Sequence, residues 1–280
     1  MKFVKMQGAG NDYVYIDCTE EEMENPGDVA RRISDRHFGV GSDGLILICP
    51  SEVADFKMRM FNSDGSEAEM CGNGIRCFAK FVYDQGLTKK ETLRVETLAG
   101  IKKIDLIIDR GKVKKVRANM GRPRLQRDEI PMKGPAGRVI NEPLVVDGET
   151  YYITAVSMGN PHVVIFVPDV EKAPVHALGP KIENHPSFPA RTNVHFVQII
   201  SRSEARQRTW ERGAGETFAC GTGASASLVA GCLNEKLDAE ATIGVLGGKL
   251  ELVWADDENV YLTGPAVTVF EGEWFENAEE

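Results

Sequence analysis

The chain repeats itself at a fixed interval. Cys71-Gly72-Asn73-Gly74 is echoed by Cys220-Gly221-Thr222-Gly223, and 220 − 71 = 149. The same offset carries Gly10-Asn11-Asp12-Tyr13-Val14-Tyr15-Ile16 onto Gly159-Asn160-Pro161-His162-Val163-Val164-Ile165, Gly44 onto Asn193, and Phe61-Asn62 onto Trp210-Glu211. Leu98-Ala99-Gly100 meets Leu246-Gly247-Gly248 after a slip of one residue. A constant offset through loop, strand and cysteine motif is the mark of an internal duplication, and copies this long are domains rather than solenoid units. The length of 280 residues agrees, since single domains run to about 100–150 residues. Two similar domains related by a pseudo-twofold axis follow, and equivalent loops from both would meet at a site on that axis.

Local patterning places the repeated motifs. Gly8-Ala9-Gly10-Asn11-Asp12 reads as a loop into a strand at 13–16, and 26–34 as a short helix with Val29, Ala30 and Ile33 on one face. The turn 39–44 feeds the apolar run 45–48, a buried strand. Phe56-Lys57-Met58-Arg59-Met60-Phe61 alternates as a half-buried strand does, and Asn62-Ser63-Asp64-Gly65 turns the chain after it. From Ile75, the residues Cys77, Phe78, Ala79, Phe81 and Val82 make a helix that is apolar most of the way round and stops at Gly86, so sheet is expected to enclose it. Strands are expected at 92–97, 101–108 and 112–119. The second helix, 224–233, is built mostly of small residues and suits close approach to neighbouring backbone. Gly, Pro and charge crowd 121–143, a domain crossing, and Gly264-Pro265 marks the return. The expected domains are 1–119 with 267–280, carrying Cys71, and 120–266, carrying Cys220.

The net charge is −9, from 33 basic and 42 acidic residues, which argues against general affinity for nucleic acid or anionic membrane. No apolar run approaches membrane-spanning length and the N-terminus lacks a signal-peptide pattern, so a cytoplasmic protein is expected. In that compartment the six cysteines are expected to remain thiols. There is no Cys-x-x-Cys, and the five histidines show no zinc-like spacing, so no metal is expected.

Two equivalent cysteines suggest one chemical pair. Each stands at the mouth of a helix, beside backbone N–H groups and the positive end of the helix dipole, where a thiol is expected to become more acidic. A racemase must take a proton from one face of a carbon and deliver one to the other, and two interchangeable thiols across a pseudo-twofold axis meet that need. The glycines allow N–H groups close to a substrate carboxylate, stabilising charge that moves onto it; no pyridoxal-type cofactor is then required. Cys18, Cys49, Cys77 and Cys232 have no echo and are assigned to the core. His162, on a loop after Asn160-Pro161, either tunes a thiol or is a satisfied structural group. Glu211-Arg212 suits an ammonium and a carboxylate, while Asn11, Asn62, Asn160 and Asn193 sit at strand boundaries where asparagine is common for turn reasons alone.

Taken together, Gly8-Ala9-Gly10-Asn11-Asp12, Phe61-Asn62-Ser63-Asp64-Gly65-Ser66-Glu67, Cys71-Gly72-Asn73-Gly74-Ile75-Arg76-Cys77, Ser157-Met158-Gly159-Asn160-Pro161-His162, Arg191-Thr192-Asn193 and Glu211-Arg212-Gly213-Ala214-Gly215-Glu216-Thr217 leading to Cys220-Gly221-Thr222-Gly223 resemble the diaminopimelate epimerases. The resemblance implies an α+β (mixed α/β) fold of two pseudo-symmetric domains, each a mixed β-sheet curled around a central helix, with the active site in the cleft between them. It implies cofactor-independent interconversion of LL- and meso-2,6-diaminopimelate on the route to lysine and cell wall. By position, Cys71 and Cys220 match the acid/base cysteines, and His162 and Glu211 match residues that assist them. Asn11, Asn62, Asn160, Asn193 and Arg212 match substrate binders, Arg212 through a two-pronged carboxylate contact; Gly72, Asn73, Gly221 and Thr222 match the cradle of the reacting carboxylate. Some relatives carry glutamine where this chain has Gly44, so that contact is not carried over. The expected partner is a small-molecule substrate, without nucleic acid or membrane, and a homodimer is the assembly allowed for.

Three rivals are weaker. A proline racemase-like enzyme has histidine where this chain has Asn73, and does not need Arg212 and the asparagines. A thiol hydrolase using Cys220, His162 and Glu211 has no use for Cys71. A redox-sensing protein would pair the two thiols in a disulfide without turnover.

Overall fold

The run Leu45–Ile48 shows no alternation because both of its faces are covered. In the computed structural model, which describes residues 1–275, it forms β3 (Gly44–Cys49), with Leu45 and Leu47 packed beside Val29, Ala30 and Ile33 of α1 (Pro26–Ser34). Ile46 points the other way, toward Gly74 of α2 (Gly72–Asp84). A strand buried on both faces reads as a continuous apolar run.

The described chain divides into two compact units: Met1–Ala118 with the chain from Gly264 onward, and Asn119–Thr263. In chain order the first unit adds β1 (Lys2–Gly8), β2 (Asn11–Asp17), β4 (Phe56–Asn62), β5 (Glu67–Ala68), β6 (Thr92–Thr97), β7 (Gly100–Asp109) and β8 (Lys112–Gly121). The second contains β9 (Glu142–Val146), β10 (Glu149–Ser157), β11 (Pro161–Phe166), α3 (Val175–Glu183), β12 (Asn193–Ser201), β13 (Glu204–Glu211), β14 (Gly215–Thr217), α4 (Gly221–Leu233), β15 (Glu240–Val245), β16 (Gly248–Trp254) and β17 (Val260–Pro265); β18 (Val267–Glu273) returns to the first. The last residues of β8 and β17 run past the unit boundary.

Strand for strand, the two units have one topology. The first orders its sheet β18-β1-β2-β3-β4-β6-β7-β8, parallel at β2/β3 and β4/β6 and antiparallel elsewhere. The second orders β9-β10-β11-β12-β13-β15-β16-β17, parallel at β11/β12 and β13/β15. The registers repeat as well: Tyr13 lies opposite Gly44 and His162 opposite Asn193. Arg59 grips Glu67 through Nε and Nη2 at 2.9 and 3.2 Å, and Arg208 grips Glu216 likewise at 2.7 and 3.1 Å. Each of these equivalent pairs is 149 residues apart. The expected mixed fold with one central helix per unit is therefore present. The helix α2 packs on β1, β2, β3 and β7, and α4 on β10, β11, β12, β15 and β16, while α1 and α3 cover the outer face.

Several local expectations change. Gly8 closes β1 and Asn11 opens β2, so the glycine loop contracts to Ala9-Gly10, both with positive φ (54° and 84°). The strand β1 was hidden because its buried Lys5 breaks the apolar pattern; Lys5 is held by Asp12 at 2.5 Å and by the Gly41 carbonyl. The Cys-Gly-x-Gly segments are first turns of helices rather than turns before them, since α2 begins at Gly72 and α4 at Gly221. His162 is the second residue of β11, not a loop residue. The helix α3 has no reading in the sequence because Gly179 and Pro180 stand inside it; Gly179 is required there, as a Cβ would lie 2.6 Å from the Trp210 ring.

Candidate functional site

In the first unit, Cys71 is the N-cap of α2, with extended backbone, and its Sγ accepts from the Gly74 N–H at 3.4 Å. Asn11 at the head of β2 takes the thiol proton on Oδ1 (3.2 Å) while its Nδ2 donates to Asp43 at 2.7 Å. Asp43 is in turn held by Arg36 at 3.0 Å, so an ion pair fixes which end of the Asn11 amide faces sulfur. Asn73 turns its side chain inward, where Oδ1 accepts from Arg76 at 2.8 Å. Arg76 is fully buried and reaches no carboxylate among the described residues; the Gly72 and Pro265 carbonyls take its other donors at 3.0 and 3.3 Å. A cation with only neutral acceptors among the described residues thus lies under the first turn of α2, at a desolvation cost. Asn62, at the end of β4, donates to Ser66 Oγ at 3.0 Å. Gly44 admits no side chain: a Cβ would lie 2.1 Å from the Phe61 carbonyl oxygen and 2.8 Å from the Tyr13 ring.

In the second unit, Cys220 is the N-cap of α4 and is buried, with Thr222 Oγ1 at 3.5 Å. Asn160 bridges β11 and α4, its Oδ1 2.8 Å from His162 Nε2 and its Nδ2 donating to Thr222 Oγ1 at 3.5 Å. His162 is fully buried and its other nitrogen meets His195 Nε2 at 2.9 Å; both ring nitrogens are engaged away from Cys220. Asn193 joins Pro161 to the turn after β13, donating to the Pro161 carbonyl (2.8 Å) and accepting from the Arg212 N–H (2.9 Å). Arg212 is exposed and donates from Nη1 to the Ala190 carbonyl at 2.9 Å. Glu211 accepts from Thr217 Oγ1 at 2.6 Å. Gly221 opens α4 and its carbonyl accepts from Ser225 Oγ.

The electrostatics at Cys220 correct one expectation. Burial, then the Glu211 carboxylate, push its thiol well above the ordinary range, although Thr222 and the Gly223 N–H pull the other way. Desolvation outweighs the helix end here. Glu211 is itself raised by burial. His162 is held well below its usual value by burial, then by His195 and Arg212, and His195 falls to about 3 by burial.

These two histidines give a pH dependence of stability. Both stay neutral when folded, so below the unfolded value of about 6.5 the unfolded chain binds more protons and stability falls as pH falls. At pH 5 each neutral histidine accounts for a loss of about 2 kcal/mol relative to pH 7. Urea midpoints at pH 7 and pH 5 will measure it, and His195→Gln is expected to remove close to half of the histidine contribution. An unchanged pH slope in that variant would contradict it.

Sequence reasoning missed Asp43, Arg76, His195, Gln207 and Thr209. The repeat held a signal for three of them: an offset of 149 sets His195 on Ile46, Gln207 on Met58 and Thr209 on Met60, each a polar residue on a position that is apolar in the other copy. Among the described residues no group of three or more His, Cys, Asp or Glu side chains is placed to hold a metal ion, and no helix is long and apolar enough to cross a membrane.

The family model for diaminopimelate epimerase matches residues 3–126 and 154–269. A diaminopimelate epimerase of Acetivibrio thermocellus is 56% identical over 274 residues, covering 98% of each chain. One from Methanococcus maripaludis is 53% identical over 274 residues, covering 98% of this chain and 99% of the other. A phenazine biosynthesis protein of the PhzF family from Bacillus anthracis superposes with a TM-score of 0.71 at 19% identity, covering 99% of both chains. A probable proline racemase from Agrobacterium radiobacter gives 0.71 at 15% identity, covering 99% of this chain and 93% of the other. The distant structures share the two-domain fold and carry nothing further. With more than half of its residues identical to named relatives over nearly its whole length, the chain belongs to the diaminopimelate epimerase family.

Proposed function

We propose that this chain is an isomerase that interconverts LL- and meso-2,6-diaminopimelate without a cofactor, with Cys71 and Cys220 as paired acid and base at the α-carbon. The observation that carries the reading is the equivalence of two N-cap cysteines, each on the central helix of its own unit. One thiolate takes the α-proton as the C–H bond breaks and an S–H bond forms. The other thiol gives its proton to the opposite face, so that the sulfurs exchange protonation states and the carbon inverts.

The α-carbon of an amino acid is a weak acid, so charge moving onto the carboxylate needs stabilising. The N–H groups of Gly72, Asn73, Gly221 and Thr222, at the open ends of α2 and α4, suit that task. Asn11 orients Cys71, Glu211 shares a proton with Cys220, and His162 holds Asn160. Asn62, Asn193, Glu211 and Arg212 bind the end of the substrate that does not react, with Arg212 on its carboxylate. No side chain at Gly44 takes part, since none fits there. The reaction serves lysine and cell-wall precursor synthesis in the cytoplasm; its partner is the small-molecule substrate, and neither nucleic acid nor membrane enters it.

Incubation of the reduced protein with LL-diaminopimelate in heavy water is expected to yield the meso form carrying deuterium at the inverted α-carbon. Absence of both inversion and exchange would defeat the assignment.

A further inference from the structure

Polar contacts run without a break from the middle of β13 to the sulfur of Cys220, and the chemistry of each partner gives them a direction. Gln207 turns its Nε2 to Thr209 Oγ1 at 2.7 Å and to His195 Nδ1 at 3.3 Å, and Thr209 Oγ1 lies 3.0 Å from the same Nδ1. An amide nitrogen only donates, so His195 Nδ1 accepts. A neutral imidazole that accepts on one nitrogen carries its proton on the other; His195 Nε2–H therefore donates to His162 Nδ1, 2.9 Å away. The same rule puts the His162 proton on Nε2, donated to Asn160 Oδ1 at 2.8 Å. Asn160 then has its Nδ2 toward Thr222 Oγ1 at 3.5 Å, and the Thr222 hydroxyl is left to donate to Cys220 Sγ, also at 3.5 Å. Gln207 Oε1 is buried with no hydrogen-bond partner among the described residues, and the direction is set equally from the far end, where Asn160 turns Oδ1 to His162 and Nδ2 to Thr222.

We propose that His195 is a positioning residue for the epimerisation proposed above: through His162, Asn160 and Thr222 it aims a chain of donors so that the last one ends on the sulfur of Cys220. Burial enforces the arrangement. His162 and His195 are fully buried, Gln207 and Thr209 nearly so, and the His195 ring lies against Gly223 in the first turn of α4. Register does the rest, since His195 pairs with Thr209 across β12/β13 and Val164, two residues beyond His162, pairs with His195 across β11/β12.

The chain has a task. The groups that face Cys220 are Glu211 on β13, which disfavours a thiolate, and Thr222 and the Gly223 N–H on α4, which favour it, with Arg212 acting on His162 behind them. A hydroxyl aimed at sulfur offsets Glu211 each time Cys220 gives up its proton; a chain running the other way would turn that hydroxyl toward Asn160 and leave the thiolate without it. No counterpart exists in the first unit, where Tyr13 and Ile46 stand at the positions of His162 and His195.

The test reads the two thiols separately, by iodoacetamide labelling across pH and peptide mass spectrometry, so it needs no turnover and its failure is distinct from failure of the heavy-water experiment. His195→Met is expected to lower the labelling rate of Cys220 at pH 8 by about tenfold, one unit in the profile, and to leave that of Cys71 unchanged. His195→Gln, whose amide accepts from Gln207 and donates to His162, is expected to stay within about twofold of the natural chain. An unmoved Cys220 profile in His195→Met, or equal effects of Met and Gln, would overturn the proposal. Should His195→Met not fold, nitrogen NMR of the unmodified protein decides alone: both rings are expected in the Nε2–H form, and an Nδ1–H form of His162 would reverse the chain and refute it.

Discussion

Replacing Cys71 with alanine is expected to lower epimerisation by at least about a thousandfold, and replacing Cys220 to do the same, because general acid–base groups each contribute about 10²–10⁴ in rate and a two-face transfer needs both. The single variants should also differ from one another. With one thiol left, only the isomer whose α-hydrogen faces it can be deprotonated, so Cys71→Ala should wash the α-hydrogen out of one stereoisomer and Cys220→Ala out of the other. Proton NMR of each isomer in heavy water measures this directly. If both variants exchanged the same isomer, the two-face assignment would fall. If Cys71→Ala retained full activity, a thiol hydrolase-like use of Cys220 alone would be the better account. Neither substitution should unfold the protein, since exchanging a thiol for a methyl costs about 1 kcal/mol in a well-packed site.

The duplication was legible because it lies in residue identities that backbone geometry demands. Gly10 and Gly159 at positive φ, the N-cap cysteines, and Asn11 and Asn160 at the strand entries recur at one offset, and the structure repeats strand order and register with them. The elements 26–34 and 92–97 agree to the residue because their periodicity is clean and their ends are marked by Pro26 and by the turn after Thr97. The network around His162 was marked only by polar residues standing on apolar positions of the other copy, and its meaning was hidden for a different reason. His195, Gln207 and Thr209 lie on three alternating positions of adjacent strands, a pattern that reads as ordinary exposed faces until β12 is known to be covered by α4. The direction of a thiol's acidity was likewise beyond the sequence, which shows a helix end but not the depth of burial. Arg76 is the sharpest case: a single arginine on an apolar helix suggests a solvent-facing residue, and it is fully buried.

Gly74 and Gly223 occupy equivalent positions, 149 residues apart, yet alanine is expected to have very different effects at the two. At Gly74 the added Cβ would meet Ile46 Cδ1 at 2.7 Å, the far end of a flexible side chain, and its next neighbours stand at 3.4 Å or more. A rotamer change of Ile46 relieves that contact, so Gly74→Ala should cost no more than about 1 kcal/mol, and the helical position itself favours alanine over glycine. At Gly223 the Cβ would lie 2.2 Å from His195 Cε1 and 2.9 Å from both ring nitrogens. That ring has no room to turn, because His162 holds one nitrogen and Thr209 and Gln207 hold the other. Either α4 shifts away from the sheet or the ring leaves its partners, and overpacking together with broken buried hydrogen bonds should cost about 3–5 kcal/mol. Thermal denaturation of the two variants side by side provides the measurement. Equal losses at the two glycines would mean that His195 yields as easily as Ile46, and the rigid buried chain behind Cys220 would lose its physical basis.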